Sequence, residues 1–202
     1  MIDTLYTIGY AGFSIDSFLR AMEKYGISVV IDVRSSPFSG YFADFNKDAL
    51  EARLRDRGIH YRNYAREFGA RQDDPAYYSP EGYLDFERFA RSEPFLQGVE
   101  KLCESMRRDY RPALMCAEKD PMSCHRAILV SRAFFERGYH VVHLLPEDGS
   151  TTQEEVEQRL LEEYFPDRHQ MSLFGEAESD AALREAAYRE QNRRIGYRME
   201  ET

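Results

Sequence analysis

Seven consecutive residues, Ile27-Ser-Val-Val-Ile-Asp-Val33, constrain the fold of this chain more than any other segment. The run is short, β-branched and nearly all apolar, the composition of a strand covered on both faces. Such strands belong to parallel sheets lying between layers of helix. The flanking segments agree. Thr4 to Ile8 is a β-branched and aromatic strand that stops at Gly9. Ser14 is placed to cap a helix in which Ile15, Phe18, Leu19 and Met22 recur at helical spacing, and Gly26 ends it. Lys47 to Arg57 is helical and Ile59 to Tyr61 is a short strand. Two helical stretches, 83–91 and 95–109, are split at Pro94. Ala113 to Ala117 is a strand. Asp120-Pro121 opens a helix that runs to Arg137, with Asp as cap and Pro at the first helical position. His140 to Leu145 is a further strand. Strand and helix thus alternate from residue 4 to 145. This predicts an α/β three-layer sandwich, a mostly parallel sheet flanked by helices.

Charge divides the chain in two. Of the formal net charge of -9, the segment Pro146–Thr202 carries -8, from 15 acidic and 7 arginine side chains. The expected organisation is an α/β domain over residues 1–165, closed by a helix from Thr152 to Tyr164. An acidic C-terminal tail over residues 166–202, helical or disordered, is expected to be loosely attached. The acidic total excludes a protein that coats nucleic acid by charge alone. No apolar run approaches the ~20 residues of a membrane span, and the first residues lack the pattern of a secretory signal. Three cysteines do not make a disulfide framework. A soluble, cytoplasmic protein without membrane association is expected.

Ligands of parallel sheets gather beyond the carboxyl ends of the strands. The richest segment there is Leu114-Met-Cys-Ala-Glu-Lys-Asp-Pro-Met-Ser-Cys-His-Arg126. Strand alternation puts Cys116 and Glu118 on one side, and Cys124, His125 and Arg126 fall in the first turn of the expected helix. An anion is favoured at such a helix start. Cys116, Glu118, His125 and, from the second strand, Asp32 are the candidate catalytic groups. Arg34, Arg126, Gly9, Tyr10, Ser36 and Cys124 are the candidate substrate or anion contacts. Gly9 would let a ligand approach the backbone closely. A zinc reading takes Cys116, Cys124 and His125 as ligands, but the adjacency of Cys124 and His125 and the lack of a clear fourth ligand count against it. No metal and no cofactor are expected.

These motifs, Thr7-Ile-Gly-Tyr10, Asp32-Val-Arg34 with Ser36-Pro37, and Cys116-Ala-Glu118 followed by Cys124-His-Arg126, resemble the domain-of-unknown-function family 488. Gly69-Ala-Arg71 and Asp73-Asp-Pro75 also fit, although Ala70 stands where the family pattern commonly has a second glycine. The resemblance covers about residues 4 to 165 and implies an α/β sandwich domain. It implies no activity. In the tail, Gln170-Met-Ser-Leu-Phe174 is similar to the peptide by which bacterial DNA polymerases and repair proteins dock on the sliding clamp. Leu173 and Phe174 would be its anchors and Gln170 its hydrogen-bonding end.

The function expected from these residues is an enzyme, a hydrolase or transferase, acting on a nucleotide or nucleic-acid-derived anionic substrate in DNA maintenance. Its rivals are a non-catalytic anion-binding module that the tail recruits to a partner such as the sliding clamp, and a thiol redox or metal protein.

Overall fold

The computed structural model describes residues 4–168 and 179–199. The clamp-like peptide Gln170–Phe174 lies outside the described residues. Six strands form one sheet: β1 (Thr4–Gly9), β2 (Val29–Asp32), β3 (His60–Asn63), β4 (Pro112–Cys116), β5 (His140–Leu144) and β6 (Ser150–Thr152). Their order is β3-β2-β4-β1-β5-β6. The first five are parallel, and β6 pairs antiparallel with β5. Register sets Gly9 beside Cys116 and Asp32 beside Met115, so three strands end together in the middle of the sheet.

Side-chain alternation sends the strands' apolar residues into two cores. Ile8, Val30, Ala113 and Met115 pack against Phe18, Leu19 and Met22 of α1 (Ile15–Lys24) and Leu50 and Leu54 of α2 (Lys47–Arg55). Leu5, Val29, Ile31 and Leu114 face the opposite layer. That layer holds α4 (Phe86–Ala90), α5 (Glu93–Arg107), α6 (Arg132–Phe135), α7 (Gln153–Tyr164) and α8 (Asp180–Ile195), while the short α3 (Ala65–Phe68) follows β3. This is the three-layer sandwich expected. Local signals act as written: Ser14 accepts from the Ser17 N–H, and Thr152 and Glu155 form a reciprocal capping box at α7.

Two expectations are corrected. The helix expected from Pro121 to Arg137 is three pieces: a 3-10 turn Pro121–Ser123, a π-helical segment Arg126–Ser131, and α6. Asp120 caps the first piece by accepting from Met122 N–H, but Cys124 is extended at φ -130°, ψ 137° and breaks the helix. Cys124 therefore precedes the second helical start instead of lying in the first turn of one helix. The tail, in turn, is not loosely attached along α8. Asn192 donates to the Leu84 carbonyl and accepts from Phe86 N–H, and Gln191 donates to the Met122 carbonyl. These bonds are buried, with Leu183, Ala187 and Tyr188 beside them.

A buried polar chain ties this helical layer to the sheet. Gln153 Nε2 donates to the Ala127 carbonyl and to Tyr188, which turns its Oε1 towards His143 Nε2 at 2.9 Å. His143 Nε2 must therefore carry the proton, and Nδ1 accepts from Thr7 Oγ1 at 2.7 Å. Burial above all, and the charge of Arg126 after it, hold the His143 imidazole down at about 3. The unfolded chain takes up this proton near the ordinary ~6.5, before the folded chain does. The neutral imidazole's stability is thus fully present above that pH and is lost as pH falls towards 3. Urea unfolding should show wild type losing up to about 1.4 kcal/mol more per pH unit between ~6 and ~4 than His143→Gln. Parallel pH profiles would contradict a neutral buried His143.

Candidate functional site

The site begins at the carboxyl end of β4. Cys116 and Cys124 are both buried, and both thiols donate to one atom, Glu118 Oε2, each at 3.0 Å. Glu118 is exposed as a residue while turning that oxygen inward, so it joins the sulfur pair to solvent. His125 lies behind the sulfurs. Its Nε2 stands 3.0 Å from the Val33 carbonyl, which can only accept, so Nε2 carries a proton. Its Nδ1 faces Cys116 Sγ at 3.8 Å and Cys124 Sγ at 3.9 Å. The spacing Cys-x-Glu thus delivers the contact that strand alternation predicts, and the extended backbone at Cys124 supplies the second sulfur.

Electrostatics distinguish the two thiols. Burial works against ionisation of Cys124, but the Cys116 thiol, the Arg126 charge and His125 outweigh it and carry Cys124 below the usual range. Cys116, facing Cys124 and buried, is pushed up. Glu118 is also raised, mainly by desolvation and then by Cys124. His125 is raised: burial opposes its charge, and Cys124 more than compensates.

The two arginines expected at the substrate have protein partners. Arg126 is fully buried. Its Nη1 donates to the Glu118 carbonyl at 2.5 Å, Nη2 to the Lys119 carbonyl at 3.2 Å and Nε to Thr7 Oγ1 at 3.3 Å. The guanidinium holds the site loop to β1. Arg34 forks onto Asp32, with Nη2 at 2.6 Å and Nε at 2.9 Å, and also donates to the Phe45 carbonyl. Tyr61 donates to the same carboxylate at 2.6 Å, and the guanidinium lies 5.2 Å from the Tyr10 ring centre. Asp32 and Arg34 therefore form a closed unit beside the thiol cluster. Ser36 is exposed on the loop after β2, and Ser35 accepts from Arg71 N–H.

Thr7 and Tyr61 complete these networks; Thr7 opens the Thr7–Tyr10 motif and Tyr61 ends an expected strand, but neither is among the candidate site residues. Their positions two residues before Gly9 and two before Asn63, at the ends of strands, were the available signal. The loop after β2 also carries Phe38 and Tyr41 at 72% and 96% exposure, and Phe42 edge-on to Tyr10.

Gly9 is fixed by close approach. A Cβ there would lie 1.7 Å from the Glu118 carbonyl oxygen and 2.9 Å from Arg126 Nη1. Gly9→Ala should therefore cost about 3 kcal/mol or more in chemical unfolding, as overpacking against backbone does. Gly58→Ala, at φ +71° with open space around it, should cost about 1 kcal/mol. Equal costs would contradict the packing of the site loop on β1.

Comparison with known proteins gives a family and no nearer relative. No curated protein and no solved structure matches the chain. The family model described as domain of unknown function DUF488 matches residues 14–133, more than half of the chain, and spans Asp32, Arg34 and the whole Cys116–Arg126 segment. On that match the chain belongs to the DUF488 family.

Proposed function

We propose that this domain is an enzyme that carries out hydrolysis or group transfer on a nucleotide or nucleic-acid-derived substrate. The observation that carries this reading is the convergence of two thiols on one carboxylate oxygen at the carboxyl ends of the central strands. Glu118 is the acid or base, because it alone of the cluster is exposed and still touches both sulfurs. Cys116 is the nucleophile or the thiol that positions the substrate, and His125, braced by Val33, assists proton transfer. Arg126 and Arg34 act as positioning residues.

Phe38, Tyr41 and Phe42 support the substrate class. Exposed rings at the carboxyl side of a sheet are stacking surfaces for bases, worth about 1–3 kcal/mol per base. Lys119, exposed and next to Glu118, is placed to meet an anion now that Arg126 is committed to carbonyls. DNA maintenance is the setting proposed, resting on the sequence of Gln170–Phe174.

A panel of nucleosides, nucleotides and single- and double-stranded DNA should contain a substrate that is turned over. Glu118→Gln and Cys116→Ser should each lower kcat by about 10²–10⁴-fold, the size of a lost acid–base group. Cys103→Ala, in the core on α5, should retain activity. Full activity in both site variants would overturn the roles. Binding without turnover across the panel would favour a non-catalytic module instead.

A further inference from the structure

Two buried thiols and one imidazole nitrogen facing each other do not need a substrate to explain them. We propose that Cys116, Cys124 and His125 hold a zinc ion, through two thiolates and His125 Nδ1. With the ion bound, Cys116 and His125 serve as its ligands in place of the nucleophile and proton-transfer roles given above. Glu118 keeps its acid–base role, and the metal site stands whether or not turnover is found.

The three ligand atoms lie within 4.8 Å of one another, and all three residues are buried. The Zn–S and Zn–N bond lengths of a tetrahedral site place S and N about 3.6 Å apart. The sulfur–nitrogen distances here are 3.8 and 3.9 Å, so contraction of a few tenths of an ångström closes the set. The ring is already turned as a metal requires. Val33 takes the Nε2 proton, which leaves Nδ1 aimed at the sulfurs. A backbone carbonyl on the far nitrogen is the usual brace of a ligating histidine. Cys124 has a brace as well, because Arg126 N–H donates to its Sγ at 3.4 Å.

Adjacency of Cys124 and His125 is no obstacle in this backbone. Cys124 is extended at φ -130°, ψ 137°, and His125 is helical at φ -58°, ψ -25°. That change of conformation brings both side chains to the same point. Charge also favours the assignment. Two thiol protons leave when the ion enters, and two thiolates cancel its two positive charges. A neutral centre is the least costly one to bury. Thiolate with imidazole selects zinc over magnesium or calcium. Three protein ligands leave one tetrahedral position for water or a substrate atom, the arrangement of catalytic rather than structural zinc. Glu118 lies outside the three-residue set and lines it from the solvent side.

The test uses the full chain, reduced and stripped of metal by chelation, then titrated with Co2+ and with Zn2+. The proposal expects one ion per chain, a thiolate-to-cobalt charge-transfer band, displacement of Co2+ by Zn2+, and release of protons on binding. Cys116→Ser and Cys124→Ser should each weaken binding at least 100-fold, while Cys103→Ala and Glu118→Gln keep the stoichiometry. X-ray absorption of the zinc-loaded wild type needs no variant. It should show two sulfur neighbours at about 2.3 Å and nitrogen or oxygen neighbours near 2.0 Å. Absence of binding by the reduced wild type would overturn the proposal. So would a metal shell without two sulfurs, or loss of stoichiometry in Glu118→Gln.

Discussion

The guanidinium of Arg126 is the interaction on which the site depends. A buried arginine charge is costly unless its donors are met in good geometry. Here they reach the Glu118 and Lys119 carbonyls and Thr7 Oγ1, and the backbone N–H of the same residue meets Cys124 Sγ. One residue therefore ties the loop after β4 to β1 through its side chain and meets Cys124 Sγ through its backbone N–H. Gly9 is the counterpart of that tie. Only a residue without a side chain lets β1 pass so close beneath the Glu118 carbonyl.

The tie reaches further than the site. Thr7, bonded to Arg126, donates to His143, which donates to Gln153, which donates to Tyr188 on α8. Each hydrogen bond fixes the direction of the next, because Ala127 offers only an acceptor to Gln153. The C-terminal helix is thereby connected to the strand ends by polar contacts as well as by packing. Gln191 adds a direct bond to the Met122 carbonyl inside the site loop. The same loop is held from below by Arg126 and from outside by α8.

Much of the architecture was legible because burial writes itself into apolar runs. Ile27–Val33 and Leu114–Cys116 could only be strands of a covered sheet, and Ser14 and Thr152 marked helix starts. The Cys116–Glu118 contact was legible from alternation alone. Other features were hidden for physical reasons. β6 is Ser-Thr-Thr, too short and polar to show a pattern. α8 docks through Gln191 and Asn192, which bond to backbone groups far away in sequence, and its apolar stripe is weak. The arginines showed themselves as anion contacts because nothing in a sequence reveals which carbonyls a fold brings within reach. The break at Cys124 was masked by a strong Asp-Pro helix start three residues earlier.

Central to this account is that Arg126 builds the thiol site and is not spent on a ligand. Hydrogen exchange of the full chain, comparing wild type with Arg126→Met, tests that most directly. The amides of residues 117–125, and those of Tyr10 and Ala11 that donate to the Cys116 and Ala117 carbonyls, should exchange much faster in the variant. The β2–β3 pairing should keep its protection. Unchanged exchange over 117–125 in a folded Arg126→Met protein would contradict the account.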